Sequence, residues 1–225
     1  MTSVITHVIG YVCSVARPVR TSLDCADLRE RFIAAGLRVL HGHGAAELTV
    51  RRVAEQAGSS TMGIYSRFGG RNGMLEAVYR RGFEQLRAAL VDVPAGEDRI
   101  VGLALAYRRF ALGSPALYAL MFERPLPDFD PSPQLRADAL GMTFTLLVDE
   151  VRQAQQRGTL PGDAPDRPAY LLWTAMHGLT SIELTHADHR PLPGWLIDST
   201  ESGEKVLTEG VRAVLSGLGA TVHFP

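Results

Sequence analysis

The chain has 225 residues, 46% of them hydrophobic, enough to bury a substantial core in one or two domains. Its formal charge of −1 hides a split. Residues 1–87 carry 12 arginines against 7 acids, whereas residues 88–225 carry 11 basic side chains against 17 acids. No apolar run reaches the about 18 residues of a membrane span, and Cys13 and Cys25 form no metal-ligating spacing, which argues against a membrane-spanning chain and a zinc- or disulfide-stapled domain.

Residues 1–22 form an amino-terminal arm rich in Val and Ile. No basic region precedes its apolar stretch, as a signal peptide would require, and Arg17 and Arg20 come after it. The arm reads as disordered, with two arginines suited to a DNA minor groove, or as an extension upstream of a translation start nearer Leu23. The first helix follows, with Leu28, Phe32, Ala35 and Val39 as its core stripe, fading at the glycines after Leu40.

Residues 47–75 are the most informative stretch. Thr49 is a good N-cap for a helix from Val50 to Ala57 that keeps Val53, Ala54 and Ala57 on one face. Gly58 supplies the tight turn, and Ser60 stands as the cap of a second short helix running to about Phe68. Ile64 and Phe68 lie four apart and face the core. Thr61, Met62, Tyr65 and Ser66 are left outward, and Gly69-Gly70 ends the helix. Two short helices around a glycine turn, the second opening on small and polar residues, are the pattern of a helix-turn-helix that reads the DNA major groove. Small residues at Thr61, Met62 and Gly63 allow close approach to base edges. Tyr65, Arg67 and Arg71 can reach phosphates, and no acid occurs between Glu55 and Glu76 to repel them.

The segments "LTVRRVAEQAG", "GIYSRF" and "RNGML" resemble the amino-terminal domain of TetR-family transcriptional regulators. The resemblance implies backbone or base contacts from Thr49, Arg51 and Arg52. It implies a base-reading end at Ser60, Thr61, Met62, Gly63 and Ser66, and phosphate contacts from Tyr65 and Arg67. Arg71 stands where the family usually has lysine. Ser59 replaces a small apolar residue at the turn, and Ser66-Arg67 replaces a commoner aromatic–histidine pair, so base preference does not carry over.

Beyond the head, Arg71 to about Val91 reads as a long helix with Leu75, Val78, Tyr79, Phe83, Leu86 and Leu90 at helical spacing. Pro94-Ala-Gly marks the domain boundary. Further helices are expected over about 97–112, 115–122, 134–157, 168–187 and 199–218, separated by Pro- and Gly-rich loops. The fold class is therefore all-α. A three-helix DNA-binding head over 23–92 is joined to a helical-bundle ligand-binding and dimerisation domain over 95–218, and 219–225 form a tail.

The segments "LLWTAMHGL" and "YRRFALGSPALYALMFERP" resemble the C-terminal domain of a TetR subgroup with a Trp–His–Gly signature. Two jobs are expected there. One is homodimerisation through the last two long helices, with Leu172, Ala175, Leu179 and Ile182 on one and Val206, Val211, Val214 and Leu215 on the other. The other is binding a small apolar effector. Tyr107, Phe110, Tyr118, Met121, Phe122, Phe144, Trp173, Met176 and His177 supply aromatic and sulfur surface with a small polar handle. Plain core packing is the competing reading of each. Glu183, His186 and His189 lie three apart, which reads as a partial metal-ligand set or as a solvated helix end; no metal and no cofactor is assigned.

These features describe a cytoplasmic, homodimeric repressor released from a double-stranded operator by its effector. An activator and a ligand-independent architectural DNA-binding protein are the alternatives. No P-loop, GxGxxG, HExxH or GxSxG motif is present, and catalysis is not expected.

Overall fold

A computed structural model describes residues 22–96, 98–187 and 196–220. The arginines of the arm, Cys13, Glu97, Asp188, His189 and the prolines at 191 and 193 lie outside these. Among the described residues the chain is all helical. In order the helices are α1 Ser22–His43, α2 Val50–Gln56, α3 Thr61–Phe68, α4 Arg71–Val91 and α5 Arg99–Gly113. Then come α6 Pro115–Phe122, α7 Pro133–Gln156, α8 Asp166–Ala187 and α9 Thr200–Gly217. A single 3-10 turn, Ala45–Glu47, separates α1 from α2.

The helix ends follow from local chemistry. The Arg52 amide donates to Thr49 Oγ1 at 3.2 Å, capping α2. Gly58, with φ of 61°, takes the left-handed conformation that the turn before α3 demands. Ser132 accepts from the Leu135 amide at the start of α7, and Ser199 and Ser202 form a reciprocal capping box at the start of α9. α8 begins two residues before the expected Pro168, because a proline in the first turn loses an amide that has no helical partner there. α1 runs through Gly42 to His43, past the glycine where its stripe fades.

α4 is the central strut. It packs on α1 and α3 in the head and on α5, α6 and α7 in the larger domain. All six residues of its apolar stripe, Leu75, Val78, Tyr79, Phe83, Leu86 and Leu90, are buried. One continuous apolar core therefore joins head and body. α8 and α9 pack as an antiparallel pair against α5.

One buried ion pair locks this pair to the body. Arg108 of α5, 1% exposed, donates from Nε and Nη2 to the two carboxylate oxygens of Glu183 on α8 at 2.7 and 2.5 Å. Its Nη2 also donates to the Thr200 carbonyl at 3.1 Å. Bidentate geometry with a third acceptor is what lets a guanidinium stay charged away from water. Glu183 is thus committed to Arg108 and is not part of a metal set with His186. Among the described residues no group of three or more His, Cys, Asp or Glu is placed to hold a metal.

Candidate DNA-reading head and effector cavity

α3 is seated by its inward face. Ile64 is fully buried, and Phe68 meets Phe32 of α1 edge-on at 6.1 Å with the Arg29 guanidinium over its ring at 5.1 Å. Gly63 belongs to this face too. A Cβ there would sit 2.8 Å from Phe32 Cζ, so glycine is required for α3 to approach α1. Helix packing thus accounts for this glycine beside the close approach to base edges expected from its position near the helix start.

The outward face carries Thr61, Met62, Tyr65 and Ser66, with Ser60 just ahead of them, all exposed. Met62 is 71% exposed and Tyr65 55%, so both side chains stand clear of the core on this face. Ser60 sits in the N-cap position with extended backbone but makes no side-chain cap bond. The first amides of α3 therefore remain available to an anion.

The arginines are differently placed. Arg51 pairs with Glu55 at 2.9 Å and Arg52 with Glu47 at 3.2 Å, both at the surface. Such exposed pairs are weak and exchange readily for phosphate. Arg67 is half-buried, with Nη1 donating to Ser66 Oγ at 3.1 Å. Arg71 is the most engaged. Its Nε donates to the Leu48 carbonyl at 3.0 Å, and its Nη1 meets Asp128 Oδ2 at 2.5 Å. Asp128 lies in the loop between α6 and α7, so an acid from the body enters the neighbourhood that the head's own sequence leaves free of them.

The nine residues expected to meet an effector divide into three sets. Tyr107, Phe144, Trp173 and Met176 line a cavity of about 30 Å³ between α4, α5, α7 and α8. Leu90, Leu103, Thr143, Leu146 and Leu147 complete it, and none of these five carries a sequence signature that separates it from ordinary core. Tyr118, Phe122 and His177 form the layer beside it. His177 stacks on Trp173 with ring centres 5.7 Å apart and lies 5.2 Å from Phe122. Met121 and Phe110 lie elsewhere: Met121 fills the notch at Gly82 on α4, and Phe110 packs at the margin of the core.

The polar handle is a triad. Tyr118 Oη lies 2.7 Å and Tyr107 Oη 3.0 Å from His177 Nδ1, and the two phenols are 3.2 Å apart. Burial pushes Tyr107 well above the ordinary tyrosine value and Tyr118 up to about 12, so both stay protonated. Burial also lowers His177, with the Glu123 carboxylate opposing it, which favours a neutral imidazole.

A seated helix with an exposed outward face, continuous through one strut with a cavity-bearing helical body, is the architecture of a helix-turn-helix DNA-binding transcriptional regulator. The Bacterial regulatory proteins, tetR family model matches residues 32–78, and the Tetracyclin repressor-like, C-terminal domain model matches residues 100–209. The chain belongs to the TetR family of transcriptional regulators. It is similar to the uncharacterized HTH-type transcriptional regulator Rv0681 of Mycobacterium tuberculosis, at 27% identity over 77% of this chain and 75% of the relative. It is also similar to the HTH-type transcriptional regulator Rv1816 of the same organism, at 25% identity over 84% and 95%. Among solved structures, a protein of unknown function from Rhodococcus sp. RHA1 superposes with a TM-score of 0.67 at 29% identity, covering 85% of this chain and 95% of that one. A TetR family transcription regulator from Marinobacter aquaeolei shares the fold at 16% identity, with a TM-score of 0.63 over 87% and 98%.

Proposed function

We propose that the protein is a homodimeric repressor that leaves a pseudo-palindromic operator when a small apolar effector enters the cavity in its body. The observation that supports this best is the double duty of α4. Its amino-terminal half packs on α3 and on α1, where Val78 lies against Gly36, and its carboxy-terminal Leu90 is a wall of the cavity. A ligand that spreads that wall tilts the same helix that carries the reading head.

Thr61, Met62 and Ser66 meet base edges, with Ser60 and the first α3 amides at a phosphate. Tyr65, Arg67, Arg51 and Arg52 hold the flanking backbone, joined by Thr49 and by Arg71 once it leaves Asp128. The cavity holds only a water or two as it stands. The effector-bound form is therefore the more open one, and the effector must favour it over the DNA-bound geometry.

The test starts with selection of bound duplexes from random DNA and measurement of operator affinity by fluorescence anisotropy. Tyr65→Phe and Arg67→Ala are expected to weaken binding to operator and non-operator DNA alike, and Arg67→Ala to lower the salt slope by about 0.9. A ligand that binds the body with no change in operator affinity would remove the release mechanism while leaving the DNA-reading assignment intact.

A further inference from the structure

We infer that the cavity selects an uncharged, lipophilic effector through one oxygen, which accepts a hydrogen bond from the Tyr107 hydroxyl. This rests on the reading of the cavity as an effector site and specifies the chemistry that site accepts.

The argument begins with proton counting. His177 Nδ1 has one lone pair, and two phenols converge on it. With Nδ1 as acceptor, the shorter contact, from Tyr118 at 2.7 Å, takes the lone pair. Tyr107 is then left with the Tyr118 oxygen at 3.2 Å, long for an O–H···O bond. With the proton on Nδ1, the imidazole donates to Tyr118, Tyr118 donates to Tyr107, and the Tyr107 proton has no acceptor in the triad. Both tautomers make Tyr107 the donor held least tightly. Tyr107 is also the member of the triad that lines the cavity, so a carbonyl, ether or hydroxyl oxygen placed there completes an under-satisfied network.

The same inventory rejects charge. No lining residue is ionisable except Tyr107, which burial holds protonated. The adjacent Arg108 is consumed by Glu183. Arg87, one turn before Leu90, is exposed and holds the Met142 carbonyl at 2.9 Å. The Thr143 hydroxyl donates to the Leu140 carbonyl of its own helix. A carboxylate in this cavity would have one phenol and the Trp173 indole N–H, itself engaged with Tyr107, to replace its hydration, and an ammonium would have only oxygens already in use.

Three probes of matched size test this on the full-length protein by calorimetry at neutral pH: 2-acetylnaphthalene, naphthalene and 2-naphthoate. The expected order is the ketone about fivefold or more tighter than naphthalene, the gain of one net hydrogen bond, with the ionised acid weakest. Tyr107→Phe is expected to erase the ketone's advantage and leave naphthalene binding intact. Wild-type selectivity decides even if that variant folds poorly. Leu146→Trp, a plug at a half-buried wall position, is expected to block all three. Equal binding of ketone and naphthalene, or tightest binding of 2-naphthoate, would overturn the inference and leave an effector site of other chemistry. Failure of all three to bind, or binding indifferent to Leu146→Trp, would overturn it together with the effector site itself. Operator binding in the same samples then shows whether the DNA-reading assignment survives alone.

Discussion

His177 shows how one side chain sets both a local structure and a pH response. It stacks between Tyr118 and Trp173 at 5.7 Å from each, and its Nδ1 draws two buried phenols together. Burial lowers its folded-state pKa, so between about pH 6.5, the ordinary value, and that lower value the unfolded chain binds a proton that the folded chain refuses. Stability contributed by the neutral form is therefore complete above pH 6.5 and is lost as pH falls through this window. Urea denaturation of wild type and of His177→Gln at pH 7.5 and 5.5 measures it. Wild type is expected to lose more stability on acidification than the variant, which lacks the titrating group. Equal losses would show that the imidazole takes up its proton as easily folded as unfolded. Tyr107 and Tyr118, raised by the same burial, keep their protons throughout this range.

At the level of elements, α4 and the α6–α7 loop make the link between cavity and DNA-reading head. A run of rings crosses from body to strut: His177 to Phe122 at 5.2 Å, Phe122 to Phe83 at 5.4 Å, Phe83 to Tyr79 at 5.2 Å and Tyr79 to Phe129 at 6.2 Å. The run ends one residue from Asp128, which holds Arg71 at the first turn of α4. Asp128 occupies the guanidinium as a phosphate would, so if Arg71 holds a phosphate in the operator complex, DNA must displace the carboxylate. Because the carboxylate is 66% exposed, the pair is worth at most about 1 kcal/mol, or roughly fivefold in affinity. Asp128→Asn is accordingly expected to tighten operator binding about two- to fivefold and to steepen the salt slope by up to about one phosphate contact. Affinity titrations at several salt concentrations would show no change if Arg71 stays away from DNA. The sequence reveals this element only in part. Thr49, Gly58 and Gly69-Gly70 mark helix ends because caps and left-handed turns are local, and the α4 stripe is periodic. The partners of Arg71 and Arg108 lie 57 and 75 residues away, where spacing carries no signal. Gly63 reads in sequence only as part of the base-reading end, because its packing partner Phe32 lies 31 residues away. The leucines of the cavity wall are indistinguishable in sequence from those of any core.

On the scale of the whole molecule, the outer face of α8 and α9 remains without a cover. Leu172, Val211 and Leu215, which the sequence offered as dimer contacts, point into the subunit's own core. The helical repeat places Leu171, Ala175 and Ile182 on the opposite side, with Leu171 and Ile182 exposed and Ala175 half-buried. Together with Arg167, Thr174, Val214, Gly217 and Leu218, Leu171 and Ala175 line an open groove between the two helices of about 600 Å³. A wide, mostly aliphatic groove with Arg167 at its edge, flanked by exposed aliphatics, suits a second copy of the same pair across a two-fold axis, giving a four-helix bundle. A two-fold dimer presents two reading heads, one for each half-site of an operator. The double variant Leu171→Glu, Ile182→Glu changes only exposed side chains, so each subunit is expected to keep its fold and melting temperature nearly unchanged. It places like charges on both sides of the axis, and sedimentation is expected to show monomers. Operator affinity should fall about 100-fold or more as the second half-site ceases to be an intramolecular partner, while affinity for a single half-site is preserved. A variant that remained dimeric with unchanged operator affinity would place the two-fold interface on another face of the body.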